Sequence, residues 1–320
     1  MKVGLIGIGG MGGVHFNVYA GMDDVELAVA DIRTDMAQEK AGDRAVAVYA
    51  TLDDLLAHFD ADVIDICTPS YLHADMAVAA LNAGKHVLCE KPVALSSVDA
   101  DRILESARRN GRIFMTAHVV RFMTPYMYLK SVIDSGELGR PVHIMAHRLS
   151  AVPRWSWENW MLDLEKSGGT PFDLSIHDID FFRYCFGDPT DVKATYHALQ
   201  DHNDFISSTL CYDGFDVEIT GAWYNASYPF NAGYTAIFEN GYVESRDGRV
   251  IRDGRDVALS VGDLCENTGI NLSGVDGYAG EIVYFLDCVK QGTEPRIVAP
   301  EDGGESVKLV ERILTKSVRT

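Results

Sequence analysis

Residues 2–12 read KVGLIGIGGMG, and this stretch decides the fold of the first part of the chain. An apolar run leads directly into the pattern GxGxxG, which a helical stretch follows. Glycines at these positions permit a tight turn and let the backbone approach a pyrophosphate, which then binds at the helix N-terminus. We predict a dinucleotide site whose residues are Gly7, Ile8, Gly9, Gly10, Met11 and Gly12. The alternative is a glycine-rich turn that only packs a helix against a strand.

Short apolar runs alternate with helical segments through the first third of the chain. This alternation is the pattern of a doubly wound parallel sheet. We predict strands over residues 2–6, 25–30, 63–67, 86–89 and 113–116, and a helix over residues 74–82. Gly84 ends that helix and Asn110-Gly111 ends the next, since glycine accepts the left-handed conformation found after helix C-termini.

The pattern of apolar and polar residues changes after about residue 120. An amphipathic helix over 127–135 and a turn at Gly139-Arg140-Pro141 precede alternating runs such as 206–211 and 215–223, which are typical of antiparallel strands. The pairs at 213–214, 240–241 and 247–248 are Asp-Gly or Asn-Gly turns at hairpin spacing. Helices over 281–290 and 304–316 are predicted to close the chain.

Composition limits the possible partners. The chain has 320 residues, 47% of them hydrophobic and 23% charged, which is enough for two domains of roughly 150 residues each. Its net charge of −19 would be repelled by nucleic acid or an anionic membrane, so we predict neither as a partner. No apolar stretch reaches the ~18 residues of a membrane span.

The sequence also indicates a compartment. A strand needed for the core begins directly after Met1, which leaves no room for a signal peptide. The cysteines form no CxxC pair, and we expect them to be free thiols rather than disulfides. They are Cys67, Cys89, Cys185, Cys211, Cys265 and Cys288. We therefore expect a cytoplasmic protein.

Asp31 is the predicted determinant of cofactor choice. It follows the second predicted strand, nineteen residues after Gly12, near the spacing of ~20 expected for a carboxylate that binds a ribose hydroxyl. This position favours NAD, and we assign Ile32 to the same site. The alternatives are a plain helix N-terminal aspartate, and an NADP site in which Arg33 holds the 2′-phosphate.

The loop after the third of these strands holds Thr68, Pro69 and His73. Loops at the carboxyl ends of parallel strands lie over the cofactor crevice, so we predict that these residues contact the cofactor. For His73 a helix-capping or exposed histidine is the alternative.

Glu90-Lys91-Pro92 follows the next predicted strand, at the same edge of the sheet. A lysine held against a bound hydroxyl can position it or relay its proton. Lys91 is therefore a candidate for both catalysis and cofactor contact, and Glu90 is a candidate cofactor residue. Pro92 allows a cis Lys91-Pro92 bond, which we predict.

Residues 168–180, GGTPFDLSIHDID, carry the sharpest catalytic hypothesis. Asp173 and His177 lie four apart in a predicted helical stretch, so they share one face. His177 suits the role of general base toward a substrate hydroxyl, while Asp173 binds a second hydroxyl or orients the ring. An acidic surface helix is one alternative. A metal site of His177 with Asp180 is another, but no third ligand lies at metal spacing, so we predict no metal.

Further residues suit a sugar-sized pocket, since such pockets combine aromatic faces with polar groups. The candidate substrate residues are His118, Arg121, Trp155 and Trp160, with Trp157 nearby. Packing in the core or at an interface is the alternative for the tryptophans. A structural ion pair is the alternative for Arg121.

The ordered set of motifs in this chain resembles that of the Gfo/Idh/MocA family of oxidoreductases. The motifs are GIGGMG, Thr68-Pro69 with His73, Glu90-Lys91-Pro92, Arg121-Phe122 and the segment 168–177. The resemblance covers nearly the whole chain. It implies an N-terminal Rossmann domain over 1–119 and an α+β domain over 120–320, with a large, mostly antiparallel open sheet for substrate binding and oligomerisation. It also implies NAD-dependent oxidation of a hydroxyl on a sugar, polyol or inositol-like compound.

The resemblance implies catalytic roles for Lys91, Asp173 and His177, and a homodimer or homotetramer formed through the open sheet. Ser175, where many members have glycine, and Pro171 depart from the family pattern and leave the substrate's shape open. Relatives of this kind also include NAD-dependent glycosidases without net cofactor turnover, non-catalytic dinucleotide-binding sensors, and reductases of imines or tetrapyrroles. These remain alternatives.

Overall fold

The computed structural model describes residues 1–42, 44, 46–200, 203–246, 248–259 and 277–319. The chain forms two compact units. Unit 1 contains Met1–His118 and Tyr278–Glu305, and unit 2 contains Val119–Gly277 and Ser306–Thr320.

In the described part of the chain, the sheet of unit 1 has six parallel strands. They are β1 (Lys2–Ile6), β2 (Glu26–Ala30), β3 (Ala47–Tyr49), β4 (Val63–Ile66), β5 (His86–Glu90) and β6 (Phe114–Ala117). Their order in the sheet is β3-β2-β1-β4-β5-β6, which is that of a doubly wound dinucleotide-binding sheet. The predicted parallel sheet is confirmed. Of its strands, β3 was not predicted, because three residues are too few to show a periodicity.

Helices separate these strands along the chain. They are α1 (Gly10–Tyr19), α2 (Thr34–Ala41), α3 (Leu52–His58), α4 (His73–Asn82) and α5 (Ser97–Asn110). Gly84 and Gly111, beyond the ends of α4 and α5, have positive φ angles of 77° and 59°, so the predicted helix ends are confirmed. The Ser96 hydroxyl accepts the Asp99 N–H and thereby caps the first turn of α5.

Unit 2 contains a larger, mixed sheet. Its strands are β7 (Pro141–Ala151), β8 (Asp191–Gln200), β9 (Asn203–Cys211), β10 (Asp216–Tyr224), β11 (Asn231–Phe238), β12 (Gly241–Arg246), β13 (Arg249–Arg252), β14 (Arg255–Asp256) and β15 (Ser317–Arg319). The order is β14-β13-β12-β11-β7-β10-β9-β8-β15. Most pairs are antiparallel, while β7 with β10 and β8 with β15 are parallel. The predicted large, mostly antiparallel sheet is therefore confirmed.

Two of the predicted Gly turns join neighbouring strands of this sheet. Asp213-Gly214 lies between β9 and β10, and Asn240-Gly241 lies between β11 and β12. The third, at 247–248, begins at a residue outside the described part of the chain. Register is kept by these turns, because a slip of one residue would exchange the two faces of each strand.

The remaining helices are α6 (Thr124–Ser135), α7 (Leu164–Ser167), α8 (Ile176–Phe186), α9 (Gly277–Gln291) and α10 (Asp302–Lys316). A π-helical turn, Pro171–Ser175, leads directly into α8. The helices predicted over 127–135, 281–290 and 304–316 are confirmed, although the described chain ends on β15 rather than on a helix.

The predicted domain boundary needs one correction. A single division after residue 119 put residues 278–305 in the second domain, whereas they belong to unit 1. An ion pair of 2.8 Å joins Lys290 to Asp24. A Cβ at Gly303 would lie 2.1 Å from Thr116 Oγ1, so α10 begins tight against β6. Contacts over such long separations in the chain leave no signal in a local pattern.

Five cysteines are free in the structure: Cys67, Cys89, Cys185, Cys211 and Cys288. Cys265 lies outside the described residues. Among the helices that the structure describes, none combines the length and apolar composition needed to cross a bilayer.

Helix α8 buries the carboxylate of Asp180, which must therefore be paired. The Arg121 guanidinium binds it in a bidentate manner, with Nε 2.8 Å from Oδ2 and Nη2 2.7 Å from Oδ1. Ser306 Oγ donates to the same carboxylate at 2.9 Å. The Arg121 guanidinium also lies 4.4 Å from the ring centre of Tyr184.

A second buried carboxylate on α8, that of Asp178, is paired in the same way. Arg148 on β7 donates to it from Nε and Nη2, both at 3.1 Å. The Tyr126 hydroxyl on α6 donates to Oδ1 at 2.8 Å. One ion pair thus fixes α8 to β7, the other fixes it to Arg121, and the Tyr126 hydrogen bond fixes it to α6.

We predict that Asp180→Ala strongly destabilises the protein, because it leaves the Arg121 charge buried without its carboxylate. The expected loss in free energy of unfolding is ~3–5 kcal/mol, measured by urea denaturation. The double variant Arg121→Met, Asp180→Leu should recover most of this loss, since it removes both charges. A single variant within about 0.5 kcal/mol of the wild type would show that the ion pair does not hold α8.

Candidate active site

The glycine loop between β1 and α1 has the shape that the fingerprint predicts. Gly7 has a φ of 83°, and a Cβ there would lie 2.8 Å from the Cys67 carbonyl oxygen. A Cβ at Gly12 would lie 1.8 Å from the Gly7 carbonyl oxygen. Neither position tolerates a side chain without movement of the backbone. The two glycines therefore fix the tight turn that leads into the N-terminus of α1.

Asp31 lies at the carboxyl end of β2, beside this loop. Its Oδ2 accepts the Ile8 N–H at 3.0 Å, and its Oδ1 accepts the Arg33 N–H at 2.9 Å. The carboxylate is thereby fixed next to the residues of the dinucleotide fingerprint. Ile32 presents an apolar surface to solvent, with 67% of its area exposed.

Lys40 is a residue of this region that the sequence reasoning missed. It lies in the last turn of α2, and its Nζ donates to the Ile8 carbonyl at 2.6 Å and to the Gly9 carbonyl at 3.0 Å. It thus braces the glycine loop from outside and places a cation beside it. The only signal in the sequence is a lysine in a helix, which is too common to be informative.

His73, the first residue of α4, is buried, which excludes the exposed alternative. Its Nδ1 lies 2.7 Å from the Pro92 carbonyl oxygen, and its Nε2 lies 2.8 Å from the Thr68 carbonyl oxygen. The ring therefore ties the loop after β4 to the loop after β5. Thr68 and Pro69 themselves are half-buried.

Lys91 is half-buried directly after β5, while Glu90 is buried. The Lys91 N–H donates to Glu90 Oε2 at 2.9 Å, so the glutamate holds the backbone of the lysine. The Lys91-Pro92 bond is cis, as predicted. The structure thus brings the cofactor candidates of unit 1 together at one edge of the sheet, at the carboxyl ends of β1, β2, β4 and β5.

In unit 2, Asp173 and His177 share the accessible side of their segment. Within residues 171–180 they are the two half-buried residues, and the other eight are buried. Asp173 lies in the π-helical turn and His177 in the first turn of α8. The predicted shared face is present, although the helix is π-helical before it is α-helical. Such π-helical turns occur frequently at functional sites.

Asp204 on β9 holds the start of this segment by hydrogen bonds to Thr170. This residue was not predicted from the sequence. It accepts the Thr170 N–H at 3.1 Å and the Thr170 hydroxyl at 3.2 Å. A Cβ at Gly169 would lie 2.3 Å from Asp204 Oδ2, so glycine is needed there. Burial raises the pKa of Asp204 to about 6, against the opposing effect of these hydrogen bonds.

Ser175, the departure from the family pattern, is accommodated by the sheet. Its hydroxyl occupies space beside β10, where a Cβ at Gly221 would lie 2.2 Å from Ser175 Oγ. Ser175 is buried, so it faces the sheet and not the accessible side with Asp173 and His177.

Two other candidate residues are buried. His118 in unit 1 is 1% exposed, and the Arg121 guanidinium in unit 2 is enclosed by its ion pair with Asp180. The geometry of Arg121 favours the structural ion pair over a contact with substrate. The same ion pair occupies the Asp180 carboxylate and leaves it unsuited to a metal site with His177.

The tryptophans differ in their surroundings. Trp155 is 76% exposed and Trp157 is 38% exposed, so both are accessible. Trp160 packs against a buried apolar cluster that includes Leu174, the neighbour of Asp173. The other members are Val152, Met161 and Trp223, with Leu162 at the edge.

Metal binding was predicted to be absent, and this stays a prediction. In unit 1, donor atoms of His15, Glu90 and Glu281 lie within 4.8 Å of one another. Each ring nitrogen of His15 lies near a carboxylate oxygen, of Asp65 for Nδ1 and of Glu90 for Nε2. Ion pairs of a histidine with two carboxylates have this arrangement.

Comparison with known proteins gives two family matches. Residues 1–118 match the profile described as "Oxidoreductase family, NAD-binding Rossmann fold". Residues 126–244 match that of the "GFO/IDH/MocA C-terminal domain".

Curated relatives include inositol dehydrogenases. The inositol 2-dehydrogenase of Salmonella typhimurium is 33% identical over 209 residues, which are 62% of this chain and 59% of that protein. The myo-inositol 2-dehydrogenase of Thermotoga maritima is 27% identical over 325 residues, covering 95% of this chain and 92% of that protein.

Solved structures show the same fold along nearly the whole chain. A levoglucosan dehydrogenase in complex with NADH superposes with a TM-score of 0.84 at 22% identity, covering 99% of this chain and 96% of the other. The myo-inositol 2-dehydrogenase of Lactobacillus plantarum gives 0.81 at 21% identity, with the same coverage. The two family matches, with the order of the motifs, place the chain in the Gfo/Idh/MocA family of oxidoreductases.

Proposed function

We propose that the protein is an NAD-dependent dehydrogenase that acts on a hydroxyl of a sugar, polyol or inositol-like compound. The observation that carries this proposal is the pair Asp173 and His177, the two accessible residues of an otherwise buried segment. A carboxylate and an imidazole on one accessible face suit a substrate rich in hydroxyl groups.

The residues of unit 1 fit a dinucleotide. Gly7 and Gly12 pack closely against backbone, which gives the tight turn that a loop at a pyrophosphate needs. Asp31 lies beside that loop and can accept a ribose hydroxyl. Bound NAD supplies the chemistry, because its nicotinamide accepts the hydride from the substrate carbon.

The proposed catalytic roles follow from the chemistry of the side chains. His177 takes the proton of the reacting hydroxyl at a ring nitrogen, which leaves the carbon able to release hydride. The Lys91 ammonium can donate a hydrogen bond to a hydroxyl oxygen and stabilise negative charge that develops there. The Asp173 carboxylate accepts a hydrogen bond from a neighbouring hydroxyl and fixes the orientation of the substrate.

Two rival functions can be separated from the proposed dehydrogenase by experiment. A dinucleotide-binding sensor without turnover would not need Lys91, Asp173 and His177 together. A glycosidase that oxidises and re-reduces its substrate would use the same residues but accumulate no NADH. NADH production from free polyols and sugars therefore separates the dehydrogenase from both rivals.

We propose that the protein works as a homodimer or homotetramer through the open face of the sheet in unit 2. Met145 on β7 and Ile237 on β11 point to this face and are 40% and 38% exposed. Burying such apolar side chains against a second copy would be favourable. The free thiols suit a reducing compartment, and we propose the cytoplasm.

Gly12→Ala should weaken NADH binding by ~10-fold or more, which corresponds to about 1.4 kcal/mol. The added Cβ meets the backbone at Gly7 and displaces the loop. Gly13→Ala is the matched control on the same helix, because its Cβ meets the flexible end of Lys40 at 3.3 Å and the Ile8 carbonyl oxygen only at 4.0 Å. Fluorescence titration with NADH measures both. Equal NADH affinities of the two variants would contradict the proposal that this loop binds the dinucleotide.

We expect the wild type to bind NADH more tightly than NADPH, because the Asp31 carboxylate repels a 2′-phosphate. Asp31→Ser should narrow the difference in affinity between NADH and NADPH, because the cations of Arg33 and Lys40 nearby favour the 2′-phosphate of NADPH. Asp35→Ser, at an exposed position of α2, removes the same charge and serves as the control. Tighter NADPH binding by the wild type would refute the proposed preference.

His177→Ala should lower kcat by ~10²–10⁴, the usual contribution of a positioned acid-base group, and leave NADH affinity nearly unchanged. Turnover is measured as NADH formation with a panel of inositols, aldoses and uronates. His58→Ala, at an exposed position of α3, is the control and should behave as the wild type. If His177→Ala keeps more than about a third of wild-type turnover, the residue is structural.

A further inference from the structure

His15 is a buried histidine for which the mechanism above has no use. It lies on α1, the helix that follows the glycine loop, and none of its surface is exposed. A fully buried histidine is expected to be neutral unless charged partners surround it. Its partners therefore decide its role.

Both nitrogens of the His15 ring face carboxylates. Nδ1 lies 2.8 Å from Asp65 Oδ2, and Nε2 lies 3.3 Å from Glu90 Oε1. A carboxylate repels a nitrogen lone pair and attracts an N–H, so two carboxylates at these distances favour a ring with hydrogen on both nitrogens.

The other groups around the ring support this charge state. Burial opposes the charge, but Cys67 and Asp65 favour it, and the pKa of His15 lies well above its usual value. The Asp65 carboxylate, 2.8 Å from Nδ1, is the partner that the geometry gives to this charge. Tyr19, on α1 itself, donates its hydroxyl hydrogen to Asp65 at 2.8 Å.

One further carboxylate, that of Glu281, lies near His15 and Glu90. Glu281 on α9 is buried, with an oxygen within 4.8 Å of donor atoms of His15 and Glu90. Burial favours the neutral form of Glu90, but His15 and Lys91 outweigh it and lower the pKa of Glu90. His15 and Lys91 thus both favour the ionised form of Glu90 in the core.

The ionised Glu90 in turn holds Lys91. Its Oε2 accepts the Lys91 N–H at 2.9 Å, while its Oε1 faces His15. One carboxylate thus connects the cofactor helix α1 to the backbone of the candidate catalytic lysine.

We propose that His15 is a positioning residue for Lys91, acting as a buried imidazolium through the Glu90 carboxylate. The proposal rests on the role proposed above for Lys91. When His15 is neutral or replaced, Glu90 takes up a proton or turns toward another donor, and the Lys91 backbone loses its fixed acceptor. Turnover then falls, while the glycine loop still binds NADH.

The first test measures the charge state of His15 in the wild type. Nitrogen-15 NMR of the imidazole rings in the wild type should show His15 with both nitrogens protonated at pH 7.5, where a histidine of pKa ≈ 6.5 is about 90% neutral. The signal is assigned by its loss in His15→Asn. A neutral His15 ring at this pH would overturn the proposal.

Two substitutions then separate the two contacts of the ring. The amide nitrogen of His15→Gln takes the place of Nε2 and can still donate toward Glu90, while that of His15→Asn takes the place of Nδ1 and reaches only Asp65. We expect His15→Asn to lose ~10- to 100-fold in kcat, the scale of a misplaced catalytic group, and His15→Gln to lose clearly less. NADH affinity should stay within about twofold in both.

Glu90→Gln tests whether His15 acts through the glutamate. In that background His15→Asn should cost little more, because residues that act as a unit are not additive. Full additivity would overturn the proposal, as would a His15→Asn enzyme with wild-type kcat. Lys91→Ala shows whether the His15 proposal or the proposed function of Lys91 has failed. If Lys91→Ala is inactive and His15→Asn is fully active, only the His15 proposal fails. If Lys91→Ala is fully active, the proposed function of Lys91 fails.

Discussion

A carboxylate cut off from water must find a cation or hydrogen-bond donors, and the candidate catalytic residues owe their positions to this constraint. Asp178 and Asp180 are buried on α8, and their ion pairs with Arg148 and Arg121 fix the rotation of that helix. Because the paired face points inward, His177 is left on the accessible side. The same constraint acts in unit 1, where His15 pairs with Asp65 and Glu90 below Lys91.

Much of the fold could be predicted because its signals are local. The glycines of residues 7–12 fit only one kind of turn, and apolar runs of four or five residues showed the parallel strands. The pair Asp173 and His177 was visible from helical spacing alone. These features depend on residues a few positions apart, which a sequence displays directly.

What the sequence could not show depends on residues far apart in the chain. The pairs His15 with Asp65 and Lys290 with Asp24 are separated by 50 and 266 positions. Lys40 and Asp204 brace their loops through contacts that arise only on folding. For Arg121 the residue type allowed both a substrate contact and an ion pair, and only the position of Asp180 distinguishes them.

The central claim is that hydride passes directly from a substrate carbon to NAD. Incubation of the wild type with NAD and polyols deuterated at their carbinol carbons, followed by mass spectrometry of the dinucleotide, tests it most directly. We expect one deuterium atom in each NADH formed from the true substrate. NADH without deuterium, or no NADH from any hydroxyl compound of the panel, would contradict it.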